Sequence, residues 1–417
     1  MIRTLLSLFC LLQHFAWLHA QPPAKLINTK SANEIVSILA SDSLQGRGNY
    51  TPELQKAADF IEQQFVDAGL EPLPGYDHFS IPINFKYHPA SLYQLYWNGQ
   101  KTNVNEYLLI SAAFFQPVFR PGNFLYTEMT AGPDSTEWVK IFEANQPQVI
   151  NFNIQNDSLL KQVIIPSAIP TNPILIVKNK PTLQSMKLDL VPESEKVLMN
   201  IVGIIPGKSL AQEVIMFSAH YDHLSPAGFK KDFFNGANDN ASGTAALILL
   251  ARHYAKQNNN ERTLVFCAFA GEEIGLLGSR DLVRKMNTKN IIAMINMDMV
   301  GISKFNNRGF MLTGTYRSRL SSVFKKNLLG HDFNMYPDVE TQRNLYERSD
   351  NYPFALAGVP AHTIMTADDE SKCYHQACDE HKNIDMENIV MTVDAIITAA
   401  STLIDGTDNP RQRKKKK

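Results

Sequence analysis

The sequence lacks an excess of either charge: Lys+Arg 40 stand against Asp+Glu 41, for a formal net charge of -1. A chain without a basic surplus is not expected to take nucleic acid as its main partner. After its first 20 residues it also lacks any stretch approaching the roughly 18 consecutive apolar residues of a membrane span, so none is expected there. Gly 21 and Pro 22 are unbiased counts, which exclude a collagen-like or low-complexity chain. Tryptophan is scarce at 3 and cysteine at 4, whereas Tyr 14 and Phe 23 are plentiful. The 44% hydrophobic content can fill a substantial core and excludes global disorder. At roughly 100–200 residues per domain, 417 residues fit two domains or one large α/β domain with an insertion.

Residues 1–20 read as a signal peptide: Arg3 is the basic start, Leu5 to Leu12 the apolar run, and Leu18-His19-Ala20 the cleavage site before Gln21. The expectation is an exported protein, periplasmic or extracellular. In such a compartment Cys373 and Cys378 are close enough in sequence to close a small disulfide loop, while Cys267 reads as a buried free thiol.

Residues 21–84 read as an N-terminal helical part. Ser31-Ala32-Asn33-Glu34 resembles a capping box ahead of Ile35, Ile38 and Leu39. After the Gly46-Arg47-Gly48 turn, Thr51-Pro52-Glu53 opens a second helix that buries Leu54, Ala58, Ile61, Phe65 and Ala68 and stops at Gly69. Residues 85–196 are richer in aromatic and β-branched residues, with strand-like runs at Tyr107–Ala112, Val149–Phe152 and Ile174–Val177, and read as a β-rich inserted domain. Residues 197–406 alternate apolar strand-like runs with helical patterns. This predicts an α/β fold with a largely parallel central sheet and helices on both faces. Residues 407–417 form a basic tail, expected to be solvated and disordered.

Ligands of such sheets bind beyond the carboxyl ends of the strands, so the polar residues following each apolar run are the ones to collect. They are His220 and Asp222, Asp239 within Asn238-Asp239-Asn240, Glu272-Glu273, Asp298, and Tyr374-His375. Two histidines and several carboxylates make a donor set suited to Zn²⁺, with Co²⁺ or Mn²⁺ as substitutes. Singly, each has a plainer reading: Asp239 as a helix cap, Glu272 and Glu273 as solvated charges, His375 as a loop residue. Asp298 resists that treatment, since an unpaired carboxylate after an apolar run is costly to bury. Five donors exceed one tetrahedral ion, whereas a bridging Asp239 would give each of two ions three protein ligands and an open position. Of the adjacent Glu272 and Glu273, one must bind metal and the other stay free as a base; the residues alone do not fix which.

His220-Tyr221-Asp222, Gly236 through Gly243, Gly271-Glu272-Glu273-Ile274-Gly275, Asn296 through Gly301 and Tyr374-His375 together resemble the secreted dizinc aminopeptidases of the bacterial leucyl aminopeptidase and aminopeptidase Y type. The resemblance covers residues 31–70 and 200–403. It implies one zinc on His220 and Asp298, another on Glu273 and His375, and Asp239 bridging them. It further implies Glu272 as general base through a metal-activated water, Asp222 orienting His220, Tyr374 stabilising the oxyanion, and Arg348 as a substrate contact. The implied substrate is a peptide with a free N-terminus, and the implied insert a protease-associated type of domain. Rival readings are a single-zinc glutaminyl cyclase, a carboxypeptidase for acidic residues, and a binding or receptor module that kept the fold without catalysis. For Cys373 and Cys378, thiolate ligation of zinc is the alternative to the disulfide.

Overall fold

The computed structural model describes residues 27–83, 93–102, 107–110, 124–130, 140–141, 144, 146–153, 172, 174–190, 197–224, 234–304, 308–338 and 343–410. The leader and residues 411–417 of the basic tail lie outside them.

Helix α1 (Thr29–Leu39) is capped by Asn28, whose side chain accepts from the Ser31 N–H at 2.9 Å. The cap thus lies three residues before the expected serine. The register buries Ala32, Ile35, Val36 and Leu39 and leaves Ile38 44% exposed, so Ile38 is not core as its spacing suggested. Helix α2 (Pro52–Ala68) follows its sequence signals: Thr51 accepts from Leu54 N at 3.2 Å, and Gly69 ends it with φ 78. That left-handed C-cap suits glycine, which has no side chain to clash.

Seven strands carry the centre of the fold: β1 (Met199–Ile205), β2 (Leu210–His220), β3 (Arg262–Phe269), β4 (Ile291–Met297), β5 (Gly309–Leu312), β6 (Asn334–Pro337) and β7 (Ala361–Met365). Their order across the sheet is β1-β3-β2-β4-β7-β5-β6, with the short strands Glu71–Pro72 and Ser80–Pro82 both on β1. The β3-β2-β4-β7 run is parallel, as expected. The β1–β3 and β5–β7 pairs are antiparallel, so the sheet is mixed toward its margins.

Successive residues of the central strands serve opposite faces. Ile215, Phe217, Ala219, Leu264, Phe266 and Ala268 join one core, with α1, α2 and helices α3 (Gly243–Gln257), α5 (Leu320–Asn327) and α7 (Met386–Ile404). Met216, Val265, Cys267 and Phe269 join the other, with α4 (Leu277–Lys285) and α6 (Asn351–Leu356). Burial on both faces is why these strands read as unbroken apolar runs. Among the described residues, α7 is the one helix long and apolar enough to cross a membrane. Its Ile389, Val393, Ile396 and Leu403 are instead buried in the first core.

The chain leaves and re-enters this sheet at one place, since Ile83 N donates to Leu198 O at 2.8 Å. Between them the described segments form a three-stranded sheet (Gln100–Lys101, Tyr93–Trp97, Met186–Leu190) and a four-stranded one (Tyr107–Ile110, Ile174–Lys178, Gln148–Phe152, Leu125–Met129).

Candidate metal centre

Register brings the functional residues together. His220 pairs with Phe269, Ser218 with Asn296, and Met297 with Ile364, so β2, β3, β4 and β7 end along one edge. The residues that follow, from His220 to His223, Glu272-Glu273 and Asp298, therefore emerge side by side. Asp239 arrives on the buried turn Ala237–Ser242 that leads into α3. Tyr374 and His375 sit within the loop closed by the Cys373–Cys378 disulfide. Cys267 is buried and free, and the cysteine pair is used in the disulfide rather than as thiolate ligands.

The two oxygens of Asp239 face different partners. His220 Nε2 lies 3.4 Å from Oδ1 and 3.5 Å from Asp298 Oδ1. His375 Nε2 lies 3.1 Å from Asp239 Oδ2 and 3.3 Å from Glu273 Oε2. Bonds of about 2.0–2.1 Å to a tetrahedral ion hold neighbouring donors about 3.3–3.4 Å apart, so these spacings fit two cations sharing Asp239. Asp298 Oδ1 and His375 Nε2 are buried polar atoms without a hydrogen-bond partner, as expected of donors shaped for a cation. The donors fall into two groups, His220, Asp239 and Asp298 in one, and His223, Asp239, Glu273 and His375 in the other. His223 is absent from the sequence-derived set, although it stands one residue beyond Asp222.

The electrostatics suit positive charge. Burial alone would raise Asp239, but His223, His220 and His375 hold it well below the carboxylate range. Glu273 is likewise opposed by burial and by Asp239, yet the adjacent His223 and His375 lower it to about 2. Burial would lower His375, but Asp239 and Glu273 raise it to about 10. Glu272 belongs to neither donor group and lines the pocket beside them. Burial, reinforced by Glu273, Asp350 and Asp298 and opposed by His220, pushes its carboxyl well above the usual range. Beneath them Asp350 is raised by burial to about 7.

A layer of contacts fixes these groups. His220 Nδ1 bonds the main-chain oxygen of Asp222 at 3.1 Å, while the Asp222 carboxylate stands off at 3.8 Å. That carboxylate instead accepts from Asn49 Nδ2 at 2.7 Å and from the N–H groups of Glu272 and Glu273 at 3.2 and 3.3 Å. Asp222 thus meets the imidazole through its main-chain oxygen, while its carboxylate fixes the two-glutamate turn. Ser349 Oγ donates to Asp298 Oδ2 at 2.9 Å, leaving Oδ1 toward His220. Asp379 accepts from the N–H groups of Asn238 and Asp239 at 2.8 and 3.0 Å. Arg47, 0% exposed, donates to the carbonyls of Leu39, Tyr221, Asn235 and Gly236, tying α1 to both ligand-bearing loops. Sequence reading saw only a turn at Gly46-Arg47-Gly48; an arginine between two glycines ahead of an apolar helix was the available signal.

The pocket over the donors is walled by Met299, Leu345 and Met365, with Arg348, Asp369 and Tyr374 also lining it. Arg348 pairs with Asp369 at 2.5 Å, and the Tyr374 ring stacks on His375 with centroids 3.8 Å apart. Burial, with the nearby Asp239, Glu273 and Glu272, pushes the Tyr374 phenol far up, so its hydroxyl keeps a proton to donate.

Residues 200–400 match the model of Peptidase family M28. It is 26% identical over 236 residues to Aminopeptidase YwaD of Bacillus subtilis, covering 55% of this chain and 50% of that relative. A probable leucine aminopeptidase of Trichophyton verrucosum is 27% identical over 201 residues, 46% of this chain and 53% of the relative. The chain thus spans about half the length of these curated relatives. Among solved structures, BSAP, a zinc aminopeptidase from Bacillus subtilis, superposes with TM-score 0.64 at 19% identity, covering 91% of this chain and 96% of that one. An aminopeptidase from Aneurinibacillus sp. strain AM-1 gives 0.57 at 17% identity, covering 94% and 96%. These structures share the α/β fold.

Proposed function

We propose that the protein is a zinc-dependent aminopeptidase that removes N-terminal residues from peptides, with two ions per chain. The division of Asp239 between two donor groups, with Glu272 beside both but in neither, carries the reading. His220, Asp298 and Asp239 Oδ1 would hold one ion, and Glu273, His375 and Asp239 Oδ2 the other. When bound, such ions polarise a peptide carbonyl and acidify a water. Glu272 takes the proton of the attacking water and returns it to the departing amine, a role suited to a carboxyl that burial raises well above its usual range. Asp222, holding the Glu272 and Glu273 N–H groups, keeps base and ligand apart. The Tyr374 hydroxyl donates to the oxyanion, and Met299, Leu345 and Met365 receive the side chain of the residue being removed. Export through residues 1–20 belongs to the same proposal, supported by the leader's pattern and by a disulfide suited to an oxidising compartment.

The test is hydrolysis of matched aminoacyl and N-blocked substrates before and after chelation. Release from free but not blocked N-termini, abolished by chelator and restored by Zn²⁺, is the expected result. Ammonia from a Gln-initiated peptide without any free amino acid would replace this reading with a cyclase.

A further inference from the structure

His223 has a place in the site that the proposed chemistry leaves unused. Its side chain is almost wholly enclosed, at 1% exposure. The backbone is held by Arg47 O, which accepts His223 N at 3.3 Å, and by a β-bridge to Gly48. The ring lies against Gly236, where a Cβ would come within 2.6 Å of its Cγ, so glycine there makes room for it. It meets the His375 ring edge-on with centroids 5.6 Å apart.

The contact with Glu273 explains the placement. His223 Nδ1 lies 2.8 Å from Glu273 Oε1, while Oε2 of the same carboxylate faces His375 Nε2 at 3.3 Å. One oxygen is engaged by a hydrogen bond and the other is turned into the donor group. His223 Nδ1 stands farther from Asp239 Oδ2, at 3.7 Å. Its Nε2 is buried without a partner, and this selects the tautomer. With the proton on Nδ1, the N–H has an acceptor and Nε2 is a bare lone pair. Were Nδ1 a metal donor, the proton would sit on Nε2 as a buried N–H without an acceptor, the costlier arrangement.

We propose that His223 is a positioning residue: its Nδ1–H holds Glu273 Oε1 so that Oε2 faces Asp239 and His375, strengthening the second ion's site without binding the ion. The inference rests on the two-ion reading above. Such supporting hydrogen bonds are typically worth 10–100-fold in metal affinity. An asparagine can present an amide N–H near the position of Nδ1 and is a poor zinc ligand, so H223N separates hydrogen bonding from coordination.

The experiment is chelator-competition titration of Zn²⁺ into the purified wild-type, H223A and H223N proteins, with Co²⁺ absorption spectra in parallel. The expected result is two equivalents in wild type, a second equivalent weakened about 10–100-fold in H223A and largely restored in H223N, and the same Co²⁺ band shape in wild type and H223N. Equal weakening in both variants with an altered Co²⁺ band would mean direct coordination and overturn the proposal. Wild-type affinity in H223A would also overturn it. If H223A does not fold, H223N decides alone, because coordination predicts loss there and positioning predicts retention. Fewer than two equivalents in wild type would overturn the two-ion reading, and this inference with it.

Discussion

Replacing Arg47 by methionine tests whether the buried guanidinium is what joins the two ligand-bearing loops. It donates to four carbonyls, those of Leu39, Tyr221, Asn235 and Gly236, at 2.6 to 3.0 Å. Gly236 O also accepts from Ala241 N at 3.1 Å, so the carbonyls of Leu39, Tyr221 and Asn235 are the ones left without a donor; at about 1–3 kcal/mol each, they together cost about 6 kcal/mol at mid-range. Part of that is offset, because burial depresses the guanidinium to about 10, against the coulombic support of Asp379, Asp239, Asp222 and Glu273. A shift of that size corresponds to about 3 kcal/mol for holding the charge in place, which methionine would release. The net expectation is a loss of about 3 kcal/mol, at the upper end of ordinary single-substitution effects. Urea unfolding of chelated wild-type and Arg47→Met proteins measures it free of metal linkage. Arg47→Lys keeps the charge on a point-like head without the planar fork and should fall between them. A loss under about 1 kcal/mol in Arg47→Met would mean that the guanidinium's bonds to these carbonyls have no energetic weight, contrary to this expectation.

Three further outcomes are expected. Glu272→Gln should keep its metal and lose about 10²–10⁴-fold in turnover, since the amide cannot accept the proton; near-normal rates with full metal content would remove Glu272 from the mechanism. Thiol titration of the denatured, unreduced protein beginning at Gln21 should find only Cys267 free, because Cys373 and Cys378 are paired; finding all three reactive would deny the disulfide. Burial lowers His362 from 6.5 to about 4, its neutral ring bonding Ser318 Oγ at 2.6 Å and Thr313 O at 2.7 Å. The unfolded chain therefore binds the proton first as pH falls. This contribution is complete above about pH 6.5 and lost down to about 4, amounting to about 3 kcal/mol. The stability gap between wild type and His362→Gln should narrow by that amount between pH 7 and 4; a constant gap would contradict the shift.

The parts of the fold visible in the sequence are those with a local signature. β3 and β4 show as apolar runs because both faces of the sheet are covered, and α2 shows because its cap, proline and terminal glycine lie within its own stretch. His220, Glu273 and Asp298 were legible because each stands at or shortly after the end of such a run, and parallel register sets them side by side. What escaped has no period to betray it. Arg47 reaches Tyr221 across 174 positions, Asn49 reaches Asp222 across 173, and Asp379 reaches Asp239 across 140. His223 escaped for a different reason: a histidine after His-x-Asp has several plain readings until its ring is seen against Glu273. The cap of α1 lies earlier than its serine because Asn28 and Ser31 are both competent caps, and the Asn28 side chain is the one that accepts a helix N–H.

The central claim is that Asp239 joins two cation sites, and the direct measurement is metal content per chain by elemental analysis, followed during stepwise chelation alongside release of N-terminal residues. Two zinc ions per chain are expected, with hydrolysis falling as they are withdrawn and returning when Zn²⁺ is restored. A protein that holds one ion or none, or that keeps its full rate after chelation, would contradict it.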